Sequence, residues 1–94
     1  MYGITPQLYE ETADRLCDAI GTKNYFSGSI EFRFGDVECR LTISVIVHRR
    51  QTVMPEGTYD TISGLVPVWW EFHTSDEGEM LNDFSFALLE EYIC

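Results

Sequence analysis

Cations are scarce in this 94-residue chain. Six lysines and arginines stand against sixteen aspartates and glutamates, a net charge of −10. All six (Arg15, Lys23, Arg33, Arg40, Arg49 and Arg50) fall in the first 50 positions, and residues 51–94 hold nine carboxylates and no cation. Nucleic-acid binding draws on lysine and arginine to displace counterions from phosphate, and anionic membranes attract the same groups. The balance therefore argues against DNA, RNA or a membrane surface as a direct ligand and leaves a protein partner open.

Cysteine and histidine are equally sparse. Cys17, Cys39 and Cys94 are odd in number and show no C-x-x-C spacing, which speaks against a disulfide scaffold and against zinc or thioredoxin-like chemistry. Cys17 and Cys39 read as buried thiols, Cys94 as an accessible one. Two histidines, His48 and His73, are too few to build a metal site with these cysteines, so no metal and no cofactor is expected. Phe26-Ser27-Gly28-Ser29 lacks the spacing of a phosphate-binding glycine loop. The longest apolar stretch, Ile62 to Trp70, is broken by Ser63, Gly64 and Pro67, well short of the roughly 20 residues that cross a bilayer. Met1 to Pro6 has neither the basic nor the apolar region of a secretory signal, so a cytoplasmic location is expected.

What is present can build a core. Hydrophobic residues make up 45% and aromatics 14%, with three prolines and seven glycines, a composition for one packed domain over residues 1–94. Thr5-Pro6 is an N-cap followed by a first-turn proline, and Gly21 follows Ile20 as a C-terminal stop. Between them Leu8, Ala13, Leu16, Cys17 and Ile20 recur at helical spacing, so a helix is expected over 6–20. From Tyr25 the period changes to two, with Phe26, Ile30, Phe32 and Phe34 alternating with polar residues. Gly35-Asp36 is then a two-residue hairpin loop, and Val37, Cys39, Leu41, Ile43, Val45 and Val47 form one face of a second strand.

The hairpin register can be checked against itself. Pairing 34 with 37 sets Arg33 opposite Glu38 and Glu31 opposite Arg40 on one face, and Phe32 opposite Cys39 and Ile30 opposite Leu41 on the other. A slip of one residue destroys both patterns. A second turn at Pro55-Glu56-Gly57-Thr58 with Met54 opposite Tyr59 places Val66, Val68, Trp70 and Phe72 on the inner side of a third strand, unless a bulge near Ser63-Gly64 shifts the register. Pro67, unable to donate to a ladder, places that strand at an edge. Residues 75–79 read as a turn, 80–84 as either extended or helical, and 85–92 as a second helix. The expected fold class is α+β: a two-layer α-β-β-β-α domain, an antiparallel three-stranded meander with two helices packed on one face.

Two helices on one side leave the other sheet face open. This register gathers Tyr25, Ile46, Leu65, Pro67 and Trp69 at one end of that face, and Glu31, Arg33, Glu38, Arg40, Glu71 and His73 at the other. Trp69 and Trp70 are adjacent in a strand and so point to opposite sides. A tryptophan on an open face anchors interfaces, unless residues 1–4 or 75–83 fold across it or the strand bends and buries both indoles. His73 with Glu31 or Glu71 could be drawn as an acid–base pair, although a row of exposed cross-strand charges is the plainer reading. His48-Arg49-Arg50 could receive an anion, or neutralise acidic groups nearby.

The function expected is a small acidic, non-catalytic interaction module binding a protein partner or a second copy through Tyr25, Ile46, Leu65, Pro67 and Trp69. The alternatives are an acidic nucleic-acid mimic that inhibits a DNA- or RNA-binding protein and, last, a small enzyme built on His73.

Overall fold

In a computed structural model that describes residues 1–93, the chain is an α+β fold of one four-stranded antiparallel sheet and two helices, one of them short. The elements are α1 (Pro6–Ile20), β1 (Tyr25–Phe34), β2 (Val37–Met54), β3 (Gly57–Ser75), β4 (Glu79–Met80) and α2 (Phe86–Glu90). The strand order is β1-β2-β3-β4, so β2 and β3 are central. Cys94 lies outside the described residues.

Helix α1 starts and stops where its end residues dictate. Thr5 Oγ1 accepts a hydrogen bond from the Leu8 amide at 3.2 Å, Pro6 opens the first turn, and Gly21 leaves the helix at φ +57°, a conformation that costs a residue with a Cβ. Its buried stripe is Leu8, Tyr9, Thr12, Ala13, Leu16 and Ile20, and Thr12 satisfies its hydroxyl on the Leu8 carbonyl at 2.7 Å. The β1–β2 hairpin has the expected register throughout, from Phe34↔Val37 to Tyr25↔Ile46, with Gly35 at φ +62° in the first loop position, where a tight hairpin favours glycine.

The second hairpin departs from the expected register. Near the polar end β2 and β3 pair as expected (Leu41↔Phe72, Ile43↔Trp70), but the register shifts once between Ser44 and Val45 and again between His48 and Arg49. Val68 and Ser63 are the extra residues. The second bulge is the one anticipated beside Gly64. The first adjoins Pro67, which has no N–H for the ladder. The turn closes as Met54↔Gly57 around Pro55-Glu56, two residues tighter than expected. Between the bulges the side-chain alternation is inverted. Leu65 points inward and is 6% exposed, whereas Val66 and Val68 face solvent. Beyond the second bulge Ile62 packs against the core again.

Residues 79–85 also depart from the expected turn and helix. Glu79–Met80 adds a fourth strand against Thr74 and Ser75, so the sheet is not a three-stranded meander, and α2 is five residues rather than eight. Asn82 explains why the chain returns along β3. Its Nδ2 donates to the Phe72 carbonyl (3.0 Å) and the Thr74 hydroxyl (3.2 Å), while its Oδ1 accepts from the Phe84 amide (3.0 Å). The N-terminus joins the same edge through a Tyr2↔Asn82 bridge. Buried residues of α1, α2 and the inner sheet face form one cluster, from Leu8, Leu16 and Ile20 through Leu41, Ile43 and Val45 to Phe84 and Leu89.

Past Tyr25↔Ile46, β2 and β3 continue without β1 as a two-stranded arm, which gives the molecule its 51 Å length against 24 and 19 Å. Residues 50–61 of the arm are all exposed.

Candidate partner-binding face

The alternation of β2 assigns the two sheet faces. Its odd residues from Val37 to Val47 are buried, and its even residues look outward. On the outward face Ile46 stands between Tyr25 on β1 and Val66 on β3, and one row further along Ser44 stands between Ser27 and Trp69. Tyr25, Ile46, Val66 and Trp69 are 51, 42, 46 and 52% exposed. Neither residues 1–4 nor 75–83 cover them, because those segments pair with each other and with β3 at the opposite edge. The two tryptophans part as adjacent strand residues must: Trp70 meets Phe84 edge-on at 5.4 Å on the helical side while Trp69 remains outside.

Of the five residues expected on this face, Tyr25, Ile46 and Trp69 are there. Leu65 is not: the bulge at Val68 turns it into the core. Pro67 stands opposite Val45 on the inward side of the ladder and is half-buried, on the stretch of β3 with no strand beyond it. Val66 takes the place left by Leu65. The signal that could have found it is Pro67 itself, since a ladder that meets a proline is a natural place for a bulge.

The basic cluster does not converge. Arg49 points toward α1, donating from Nη2 to the carbonyls of Gly21 (2.7 Å) and Lys23 (2.6 Å) and from Nε to Lys23 (3.2 Å). It satisfies the C-terminal end of α1, where unpaired carbonyls concentrate negative charge. His48 and Arg50 lie on the other side of the strand, exposed. An anion could not engage all three.

At the polar end the expected residues do assemble. Arg40 pairs in register with Glu31 and His73, and Thr42 with Glu71. A cavity of about 530 Å³ opens there, lined by Glu31, Arg33, Glu38, Arg40, His73 and Glu79. His73 Nε2 lies 2.8 Å from Glu71 and its Nδ1 contacts Glu79, a residue the sequence reading placed in a turn. Both ring nitrogens of His73 thus face carboxylates. Among the described residues the only ion pairs are these two and Arg15–Glu11, so the expected Arg33–Glu38 and Glu31–Arg40 pairs face each other in register without ion-pair contact. No group of three or more His, Cys, Asp or Glu among the described residues is placed to hold a metal.

Cys39 lies under this end of the sheet, 2% exposed, and burial pushes its thiol up from 9.0 to about 11. The folded protein therefore keeps this group protonated where the unfolded chain begins to ionise. The stability it confers is complete below pH 9 and lost as pH rises toward 11. The difference in unfolding free energy between wild type and Cys39→Ala, from urea titrations, is expected to shrink across that window. A difference constant from pH 7 to 11 would refute the shift.

No family model, no curated protein and no solved structure matches this chain. Among the described residues no helix is long and apolar enough to cross a membrane.

Proposed function

We propose that this chain is a non-catalytic protein-interaction module of the cytoplasm, with both helices covering one face of the sheet and a partner protein covering the other. The observation that supports it is the group Tyr25, Ile46, Val66 and Trp69, four large apolar side chains on adjacent rows of three strands, each near half exposed. Scattered exposed apolar residues are ordinary, but a contiguous group containing tryptophan and tyrosine is the usual anchor of an interface. Further along the same face of the arm, past the polar rows His48–Gly64 and Arg50–Thr61, Tyr59 and Met54 are 49 and 44% exposed.

The acidic-mimic reading has less support, because the exposed carboxylates are spread over α1, the arm, the β3–β4 turn and α2 rather than set in facing rows. The enzyme reading is weakened by the double clamp on His73.

The test is site-specific photocrosslinking in living cells of the source, with the photoreactive residue at position 69 or, as a control, at the exposed Asp14 on α1. A discrete adduct from position 69, lost on adding Ile46→Asp and absent from position 14, is expected. Equal labelling from both positions, or an adduct indifferent to Ile46→Asp, overturns the reading.

A further inference from the structure

The two edges of the sheet are treated very differently. Beyond β3 the edge is closed near Thr74 and Ser75 by β4, then by the Tyr2↔Asn82 bridge, and further along it is interrupted by Pro67 and the extra residues Val68 and Ser63. Proline, bulges and short covering strands are the devices that keep a sheet edge from pairing with another chain. At the other edge β1 has none of them. It runs ten residues, Tyr25–Phe34, without proline or bulge, in unbroken register with β2, and among the described residues no strand lies beyond it.

We propose that this bare edge pairs antiparallel with the same edge of a second copy, joining two sheets into one of eight strands. A twofold axis perpendicular to the sheet keeps the helices of both copies on one side and sets one residue opposite itself. The sequence of β1 discriminates among the choices. An axis at Glu31 opposes two carboxylates, and one at Phe32 leaves Tyr25 to Ser29 unpaired. An axis at Ile30 pairs nine residues, 26–34, without opposing like charges, but leaves Tyr25 unpaired and sets Arg33 opposite Ser27; an axis at Ser29 also pairs nine, 25–33, with no like charges opposed, and brings Tyr25 and Arg33 together. On the inner face Phe26 meets Phe32, and Ile30 stands opposite Gly28, beside the Phe26 ring that lies over that glycine. On the outer face Ser27 meets Glu31, and Tyr25 meets Arg33. Among the described residues Arg33 makes no ion pair, and Tyr25 is 51% exposed, so a cation meets an exposed aromatic face. The occupant is thus a second copy rather than an arbitrary strand, because the pattern of β1 complements itself.

This pairing rests on the β1 edge and engages only Tyr25 of the outward group, leaving Ile46, Val66 and Trp69 open on the same side in both copies. Sedimentation equilibrium of the full chain is expected to give a dimer. Ser29→Lys sets two ammonium groups opposite each other and should raise the dissociation constant about tenfold or more, while Thr58→Lys, exposed on the arm, and Trp69→Asp should leave the dimer intact. In a Cys17→Ser, Cys94→Ser background, mild oxidation of Ser29→Cys should give a covalent dimer that neither the background itself nor Glu31→Cys in it forms. This readout stands even if Ser29→Lys weakens folding. A wild type monomeric at every concentration, a dimer lost through Trp69→Asp but not Ser29→Lys, or crosslinking through position 31 instead of 29 would overturn the proposal.

Discussion

Leu41→Ala is expected to lower the unfolding free energy by about 3–4 kcal/mol, a large part of the 5–15 kcal/mol by which such domains are stable. Leu41 is 0% exposed at the centre of β2, between Ile30 on β1 and Phe72 on β3, where three strands hold the backbone in place. A site walled by a continuous ladder cannot collapse onto the missing methyls, so the cavity term is added to the lost transfer energy. For a chain of this length each kcal/mol lowers Tm by roughly 4–8 °C, so calorimetry should show a fall of more than about 12 °C. Val53→Ala, 80% exposed on the arm, is the control and is expected to change stability by less than about 0.5 kcal/mol. Equal losses at the two positions would mean that the core does not lie where the alternation of β2 puts it.

Phe84→Ala is expected to cost about 3–5 kcal/mol by a different route. Phe84 stacks on Phe72 with centroids 4.3 Å apart, meets Trp70 at 5.4 Å and Tyr9 at 5.5 Å, and so binds the returning C-terminal segment to both β3 and α1. Helix α2, five residues with no side-chain cap at Ser85, is far below the length at which a helix persists alone. Its order therefore depends on this aromatic cluster and on Leu89 behind it. The variant should lose hydrogen-exchange protection first in residues 84–90 and alter the fluorescence of Trp70, while the β1–β2 ladder stays protected. Uniform loss across the sheet would show that the segment and the sheet fold as one unit. Phe84→Leu, which keeps most of the volume, should recover more than half of the stability.

These outcomes depend on which side of a strand each residue occupies, and that information was unevenly legible in the sequence. It was plain in α1, where the Thr5-Pro6 start, the Gly21 stop and a helical stripe agree, and in β1–β2, where charge on one face and apolar residues on the other admit one register. It failed in β3. Whether the ladder slips at Val68 depends on how Pro67 sits opposite Val45, a matter between two strands that neither strand's own pattern records. Leu65 and Val66 are both good strand residues, so composition could not say which faces the core. The short β4 was ambiguous because its pairing is held by Asn82, whose three hydrogen bonds reach residues two to ten positions away.

The candidate site divides along the same line. Exposure of Trp69 opposite a Trp70 packed against the core follows from strand geometry, and the gathering of Tyr25 and Ile46 beside it follows from a register visible in the sequence. The scattering of His48, Arg49 and Arg50 does not, because Arg49 is drawn away by carbonyls at the end of α1.

What the sequence determined by itself was the fold class, the first helix, the first hairpin and the acidic character, since these rest on contacts between near neighbours or on composition alone. The tertiary structure decided which apolar residues of β3 lie outside, where the arm projects, which edge of the sheet is closed and what His73 touches. Those depend on where distant segments meet, and a proline or an asparagine side chain there outweighs the local preference of the residues around it.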